Sequence, residues 1–248
     1  MKTILITGAS SGFGLETARY FLARGWKVIA TMRTPREGVL PPSEHLQVLP
    51  LDVTDPRSIQ QAVAAAGPVD VLVNNAAFGL LSVLEGTSME TVRATFDTNT
   101  FGAMAVTHAF LPQFRERRSG VIVNVSSTVT MVSLPMLSIY TASKAALNAF
   151  SESLALELAP FGVRVSLVLP GRSTETPFGQ NAYAVMERQG VVVPDAYADF
   201  ARGVNEAMSG AAGPFTRPLD VAEAVWRAVH DPSCPPRQLA GADALALA

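Results

Sequence analysis

The sequence predicts an α/β fold, with one doubly wound, mainly parallel sheet and helices on both of its faces. Three observations carry that prediction. Six short runs rich in Val, Ile and Leu alternate with helix-like stretches. The runs show little polar alternation, as expected of strands buried on both faces. A regular strand-then-helix rhythm implies right-handed crossovers and therefore parallel strands. A chain of 248 residues that is 48% hydrophobic and 16% charged suits one large α/β domain spanning 1–248.

The first strand is expected at 3–7. It runs into the turn Thr7-Gly8-Ala9-Ser10-Ser11-Gly12-Phe13-Gly14, which opens a helix over 14–24. Glycines there let the backbone turn tightly and approach a pyrophosphate. The free N–H groups and positive dipole end of the helix, with Ser10, Ser11 and Phe13 in the turn, then face the phosphates. The fold is thus of the Rossmann type, although the spacing is G-x-x-x-G-x-G rather than G-x-G-x-x-G. Gly8 to Gly12 also fits G-x-S-x-G, the nucleophile elbow of serine hydrolases, with Ser10 as nucleophile and His230 as base. That reading lacks an oxyanion loop and leaves the later motifs unexplained.

Further strands are expected at 27–31, 47–51, 69–73, 121–125 and 164–169, and further helices at 56–66, 89–117 and 138–159. The segment 172–217 breaks the rhythm. It is rich in Gly, Pro and Ala with scattered aromatics, and it follows the sixth strand. Ligands of doubly wound sheets bind at the carboxyl ends of the strands, so an irregular insert there reads as a substrate lid.

Other classes are disfavoured. Net charge is −2 with scattered basic residues, so no nucleic-acid or anionic-membrane surface is advertised. The lone Cys234 excludes an internal disulfide, and His45, His108 and His230 form no metal-ligand spacing, so no metal is expected. No apolar run is long enough to span a bilayer. The opening residues lack a leader pattern, so a cytoplasmic setting is expected. Asn124-Val125-Ser126 fits a glycosylation sequon, but on an expected buried strand.

Tyr140 and Lys144 stand four residues apart, one above the other on the expected helix 138–159. A neighbouring ammonium favours phenolate and lowers a tyrosine's pKa, which suits acid/base work. Ser127, ending the 121–125 strand, offers a hydroxyl for a substrate oxygen. The ordered set (glycine turn on strand one, Asn74-Asn75-Ala76 after strand four, Ser127 after strand five, Y-x-x-x-K on the next helix) resembles the short-chain dehydrogenase/reductase family, single-domain branch, over nearly the whole chain. The closing Gly241-Ala242-Asp243-Ala244 is similar to the tails of hydroxysteroid and retinol dehydrogenase-like members.

The resemblance implies roles. Thr7, Gly8, Gly12 and Gly14 match the cofactor turn, and Asp52 and Val53 the pair at the adenine. Asn75, Ala76 and Ala77 match the segment behind the cofactor. Asn99 matches the asparagine that positions a relay water. With Ser127, Tyr140 and Lys144 it completes a catalytic tetrad, and Lys144 would also hold the nicotinamide ribose. Pro170 and Gly171 match the segment beside the nicotinamide. A threonine usually follows near the cofactor amide; Thr174 and Thr176 compete for it, with Thr176 preferred. One departure is Ala77, where the family has glycine; if φ must be positive there, alanine is strained, and Gly79 can restore the turn. The expected reaction is hydride transfer between a nicotinamide and an alcohol or carbonyl, with Tyr140 exchanging the proton.

The strand ending at Thr31 runs into Met32-Arg33, with no carboxylate for a ribose 2′-hydroxyl. Arg33, aided by Arg36, suits a 2′-phosphate, so NADP(H) is expected over NAD(H). Apolar residues from 129–137 and Phe178, Tyr183, Met186, Tyr197, Phe200 and Phe215 from the insert suggest a lipophilic substrate. Arg172 and Arg188 are candidates for an acidic group. Ala142, Ala145, Ala146 and Ala149 make a small face on the Tyr140 helix, and with the family's habit this points to a homodimer or homotetramer. The rival from another class is a catalytically silent NADP(H)-binding regulator. The complete tetrad argues against it.

Overall fold

The computed structural model describes residues 1–248 apart from Glu37 and Ala211. Among the described residues the strands are β1 (Thr3–Ile6), β2 (Lys27–Met32), β3 (Leu46–Pro50), β4 (Val71–Asn74), β5 (Gly120–Val125), β6 (Val163–Pro170) and β7 (Arg237–Ala240). The helices are α1 (Gly12–Leu22), α2 (Pro56–Ala66), α3 (Met89–Phe96), α4 (Gly102–Arg117), α5 (Ser138–Leu158), α6 (Phe178–Arg188), α7 (Ala198–Gly210), α8 (Pro218–His230) and α9 (Ala242–Leu245). The sheet runs β3-β2-β1-β4-β5-β6-β7, and every neighbouring pair is parallel. The winding reverses between β1 and β4, which opens a crevice at their carboxyl ends.

Strand period explains the two-sided core. Ile4 and Ile6 join the layer built with Phe21 of α1 and Val225 of α8. Leu5, between them, joins the opposite layer with Phe110 of α4 and Leu154 of α5. Val71 and Val73 against Leu72, and Val121 and Val123 against Ile122, divide in the same way. Each large aliphatic side chain fully buried here contributes roughly 1.5–3 kcal/mol.

Local signals start the helices where they are observed. Asp55 accepts the Arg57 N–H at 2.9 Å and Pro56 opens α2. Ser88 accepts the Thr91 N–H at 3.1 Å at the start of α3.

Three differences from the sequence expectation matter. The single helix expected at 89–117 is two, α3 and α4, joined by a π-helical turn over Asp97–Phe101. The segment 172–217 is not irregular: it carries α6 and α7. Beyond it the reading assigned no element, yet α8, β7 and α9 follow. β7 has only four residues, and its strand character comes from pairing with β6, as in Val168 with Gln238. No described helix is long and apolar enough to cross a membrane.

Candidate active site

The glycine turn lies where β1 and β4 part. Thr7 donates its N–H to the Val73 carbonyl at 2.9 Å, and its hydroxyl accepts the N–H groups of Asn75 and Ala76 at 2.9 and 3.0 Å. Asn75 returns the contact, its amide donating to the carbonyls of Thr7 and Gly8. Gly8 and Gly12 have φ of 69° and 57°, a region glycine enters without steric cost. Gly14 is excluded from bearing a side chain by contact: a Cβ there would sit 2.5 Å from the Gly8 carbonyl oxygen. Ser11 caps α1 through its extended backbone, without a side-chain bond. Ser10 and Phe13 lie in the same turn.

The catalytic set converges one layer over. Tyr140 and Lys144 are both buried on α5, and the Ser127 side chain lies beside the Tyr140 hydroxyl. Lys144 donates through Nζ to the Val125 carbonyl at 2.9 Å. Burial dominates both titrations. It pushes Tyr140 above the ordinary tyrosine range, with the polar Ser127 side chain pulling part of the way back. It lowers Lys144 from 10.5 to about 8. This corrects the expectation of a lowered tyrosine: withdrawal of the phenol from water raises it instead.

Asn99 is buried in the π turn. Its amide accepts the Phe78 N–H at 3.0 Å, donates to the Phe78 carbonyl at 3.0 Å and to the Ser143 hydroxyl at 3.2 Å. It therefore ties the chain after β4 to α5. π turns accompany functional sites, and here the extra residue turns Asn99 and Thr100 inward onto Ser143. Ala77 is not strained, because the non-glycine residues with positive φ are Arg118 and Met136. Gly79 restores no turn either. It leaves room for Phe178, whose ring would lie 2.7 Å from a Cβ at that position.

Phe178, opening α6, also stands 5.9 Å from the Tyr140 ring. Of the two competing threonines, Thr174 is exposed, whereas Thr176 lies over Gly12 with its methyl 3.5 Å from a Cβ position there. The Thr176 hydroxyl is buried with no partner. Pro170 ends β6, and the Gly171 N–H donates to the Thr216 hydroxyl at 2.9 Å. Other insert aromatics do not line the site as expected. Tyr183 and Phe200 are more than half exposed, and Phe215 lies under the Arg172 guanidinium. That guanidinium also donates to the Met208 carbonyl, so it is engaged within the protein. Arg188 is exposed.

At the far end of the turn, Arg33 is exposed just beyond β2. Arg36 donates to the Ser10 carbonyl at 3.2 Å, which brings a second cation to the turn itself. Asp52 accepts the Thr54 N–H and hydroxyl at 2.9 and 2.7 Å, and Val53 packs against Gly102. Ser10 and His230 are not a dyad. Ser10 follows β1 at the carboxyl ends of the strands, while His230 stacks on Trp226 and neighbours Trp26, just before β2 at the opposite ends. Gly79, Phe178 and Thr216 had no motif to mark them; their roles arise from contacts far apart in sequence.

The donors present fit a dinucleotide: a side-chain-free cradle at a helix N-terminus, and a buried hydroxyl without a partner above it. Comparison with known proteins agrees. The family model described as short chain dehydrogenase matches residues 2–186. Human retinol dehydrogenase 8 is 41% identical over 181 residues, 68% of this chain and 58% of its own. Mouse 17-beta-hydroxysteroid dehydrogenase type 1 is 36% identical over 230 residues, 85% of this chain and 66% of its own. The chain thus spans less than two thirds of the length of these relatives. A short-chain dehydrogenase structure from Streptomyces avermitilis superposes with a TM-score of 0.82 at 34% identity, covering 100% of this chain and 91% of that one. A Burkholderia cenocepacia short chain dehydrogenase in complex with NADP gives 0.78 at 27%, covering 100% and 92%. A Brucella melitensis 3-ketoacyl-(acyl-carrier-protein) reductase complexed with NADH gives 0.78 at 27%, covering 96% and 95%.

Proposed function

The chain belongs to the short chain dehydrogenase family, and on that premise we propose that it is an NADP(H)-dependent oxidoreductase acting on a lipophilic secondary alcohol, ketone or aldehyde. The observation that carries the reading is that Ser127, Tyr140 and Lys144 are buried together, with Ser127 beside the Tyr140 hydroxyl and Lys144 one turn along α5.

When bound, the nicotinamide supplies or accepts the hydride. The chain does the rest. The N–H groups at the start of α1 hold the pyrophosphate, with Asp52 and Val53 at the adenine end. Asn75, Ala76, Pro170, Gly171 and the unpartnered Thr176 hydroxyl flank the other end. Ser127 orients the substrate oxygen. Tyr140 gives that oxygen its proton in reduction and takes it back in oxidation. Burial keeps Tyr140 protonated at neutral pH, which favours the donor role. Lys144 holds a positive charge one turn away, and Asn99 keeps α5 and the chain after β4 in register.

Relatives hold either NADP or NADH, so the preference rests on this chain's own charges. Arg33 and Arg36 flank the turn and no carboxylate ends β2, which favours a 2′-phosphate. Phe178 sets an apolar ring beside Tyr140, which favours a lipophilic substrate. Exposed Ala142, Ala145 and Ala149 on α5 support a homo-oligomer, and the lone Cys234 supports a reducing, cytoplasmic setting.

The test is titration with NADPH and NADH by fluorescence, followed by a panel of lipophilic ketones and aldehydes. Tyr140→Phe is expected to lower kcat by about 10²–10⁴ while NADPH still binds. Replacing Arg33 and Arg36 together by alanine is expected to weaken NADPH and spare NADH. Turnover that survives Tyr140→Phe overturns the acid/base assignment. Equal or tighter binding of NADH overturns the cofactor preference.

A further inference from the structure

We propose that Asp243 is the clasp of the lid: its one carboxylate ties together the two stalks of the 172–217 segment and holds the strand end at Gly171 in place. This inference rests on reading that segment as a lid over the cofactor and substrate site.

The two stalks meet at one point. The chain leaves the sheet at Gly171-Arg172, directly after β6, and returns at Thr216, directly before α8. The Thr216 N–H donates to the Arg172 carbonyl at 2.8 Å. Asp243, in the first turn of α9, reaches into this junction from the C-terminal end of the chain. One carboxylate oxygen accepts the Arg172 N–H at 2.7 Å, and the other accepts the Thr216 hydroxyl at 2.6 Å. The Thr216 oxygen in turn accepts the Gly171 N–H at 2.9 Å and lies 2.9 Å from the Ala240 carbonyl. Outgoing stalk, returning stalk and β7 are thus joined through two side chains, Asp243 and Thr216.

The space for this junction is made by glycine. A Cβ at Gly171 would collide with the Asp243 carboxylate, and one at Gly241 would land on the Thr216 hydroxyl. Gly241 also has φ of 99°, so the chain enters α9 by a conformation that side chains disfavour. Asp243 forms no ion pair among the described residues. Its partners are a backbone N–H and a hydroxyl, one on each stalk. The consequence reaches the site, because the same outgoing stalk carries Thr176 over Gly12 and Phe178 against Tyr140. Asp243 is therefore a positioning residue, acting on cofactor and substrate through the lid.

Asparagine can keep most of this arrangement. Its oxygen accepts from Arg172, and its amide donates to Thr216 while that hydroxyl turns to Ala240. Alanine keeps neither of the two Asp243 bonds. Hydrogen–deuterium exchange on the full chain without cofactor tests the clasp directly. In Asp243→Ala, peptides within 173–215 are expected to exchange about tenfold faster, with β1, β4 and β5 unchanged. Asp243→Asn is expected to stay within about twofold of the parent. The NADPH Kd is expected to rise about tenfold in the alanine variant, with KM rising more than kcat falls. Thr216→Val keeps the volume, loses the hydroxyl, and gives the same exchange pattern even if Asp243→Ala does not fold. The double variant is expected to be no worse than the worse single, because both open one clasp. Lid exchange unchanged in both singles, exchange raised equally in the sheet, or additive effects would each overturn the proposal. Exchange is read without cofactor or substrate, so its failure is separate from turnover surviving Tyr140→Phe, which would sink only the reaction assignment.

Discussion

Lys144 is a buried cation donating to the Val125 carbonyl. Its folded pKa of about 8 lies below the ordinary 10.5 it recovers on unfolding. Between those values the unfolded chain holds the proton and the folded chain has released it. Stability attributable to this group therefore rises as pH rises through that window, and the buried charge costs stability below about 8. Tyr140 acts oppositely, but only above pH 10, where an unfolded tyrosine ionises and the buried one does not. Cys234, raised by burial, also titrates in this window, so urea denaturation at pH 7.5 and 9.5 is read as the difference between the parent and a Lys144 variant. The parent is expected to gain about 1–3 kcal/mol on Lys144→Met between these pH values. A constant difference would show that the lysine is not depressed. Carbonyl reduction is expected to slow over the same rise in pH, as the charge beside Tyr140 is lost. Arg36 gives the other residue-scale result: expected beside Arg33 as a second cation, it touches the glycine turn directly.

At the scale of elements, α6 brings an aromatic ring to the candidate site. Phe178 at its start lies against Gly79 and stands 5.9 Å from the Tyr140 ring, which places it to select substrates by size if the proposed reaction holds. A methyl at Gly79 cannot be accommodated without moving that ring. Gly79→Ala is expected to change KM for bulky ketones by about tenfold, while kcat for the smallest ketone changes little. Phe178→Ala is expected to shift preference toward bulkier ketones. Steady-state kinetics across a size series checks both, and equal effects on every substrate would show that Phe178 does not select by size. The π turn is the other decisive element. One added residue between α3 and α4 turns Asn99 toward Phe78 and Ser143.

At the scale of the whole molecule, the sheet holds its nucleotide crevice at the β1/β4 reversal and two apolar layers on its faces. Outside these layers α5 presents Ala142, Ala145 and Ala149 to solvent, with Leu156 further along 78% exposed. Small side chains allow close approach of a second helix, and an exposed leucine loses water on contact. Light scattering is expected to give a multiple of 26.2 kDa, and Ala149→Arg is expected to dissociate it. A parent protein that is monomeric throughout would remove the assembly from the account.

The sequence by itself determined what depends on short-range pattern. Apolar runs such as 69–73, where β4 forms over Val71–Asn74, read as buried strands because both faces must be apolar. The Asp55-Pro56 start placed α2, and four-residue spacing put Tyr140 and Lys144 on one helix face. Glycine order located the cradle. The tertiary structure alone decided what depends on long-range contact. Four residues, Arg237–Ala240, became a strand because β6 lay open beside them. Burial, a property of the packed core, raised Tyr140 against the shift its spacing from Lys144 suggested, and lowered Lys144 as well. Thr176 was placed over Gly12, and Phe178 and Asp243 were given partners, by contacts between segments distant in the chain. Local spacing encodes which residues share a face. Desolvation and cross-chain contact are properties of the folded whole, and no local pattern carries them.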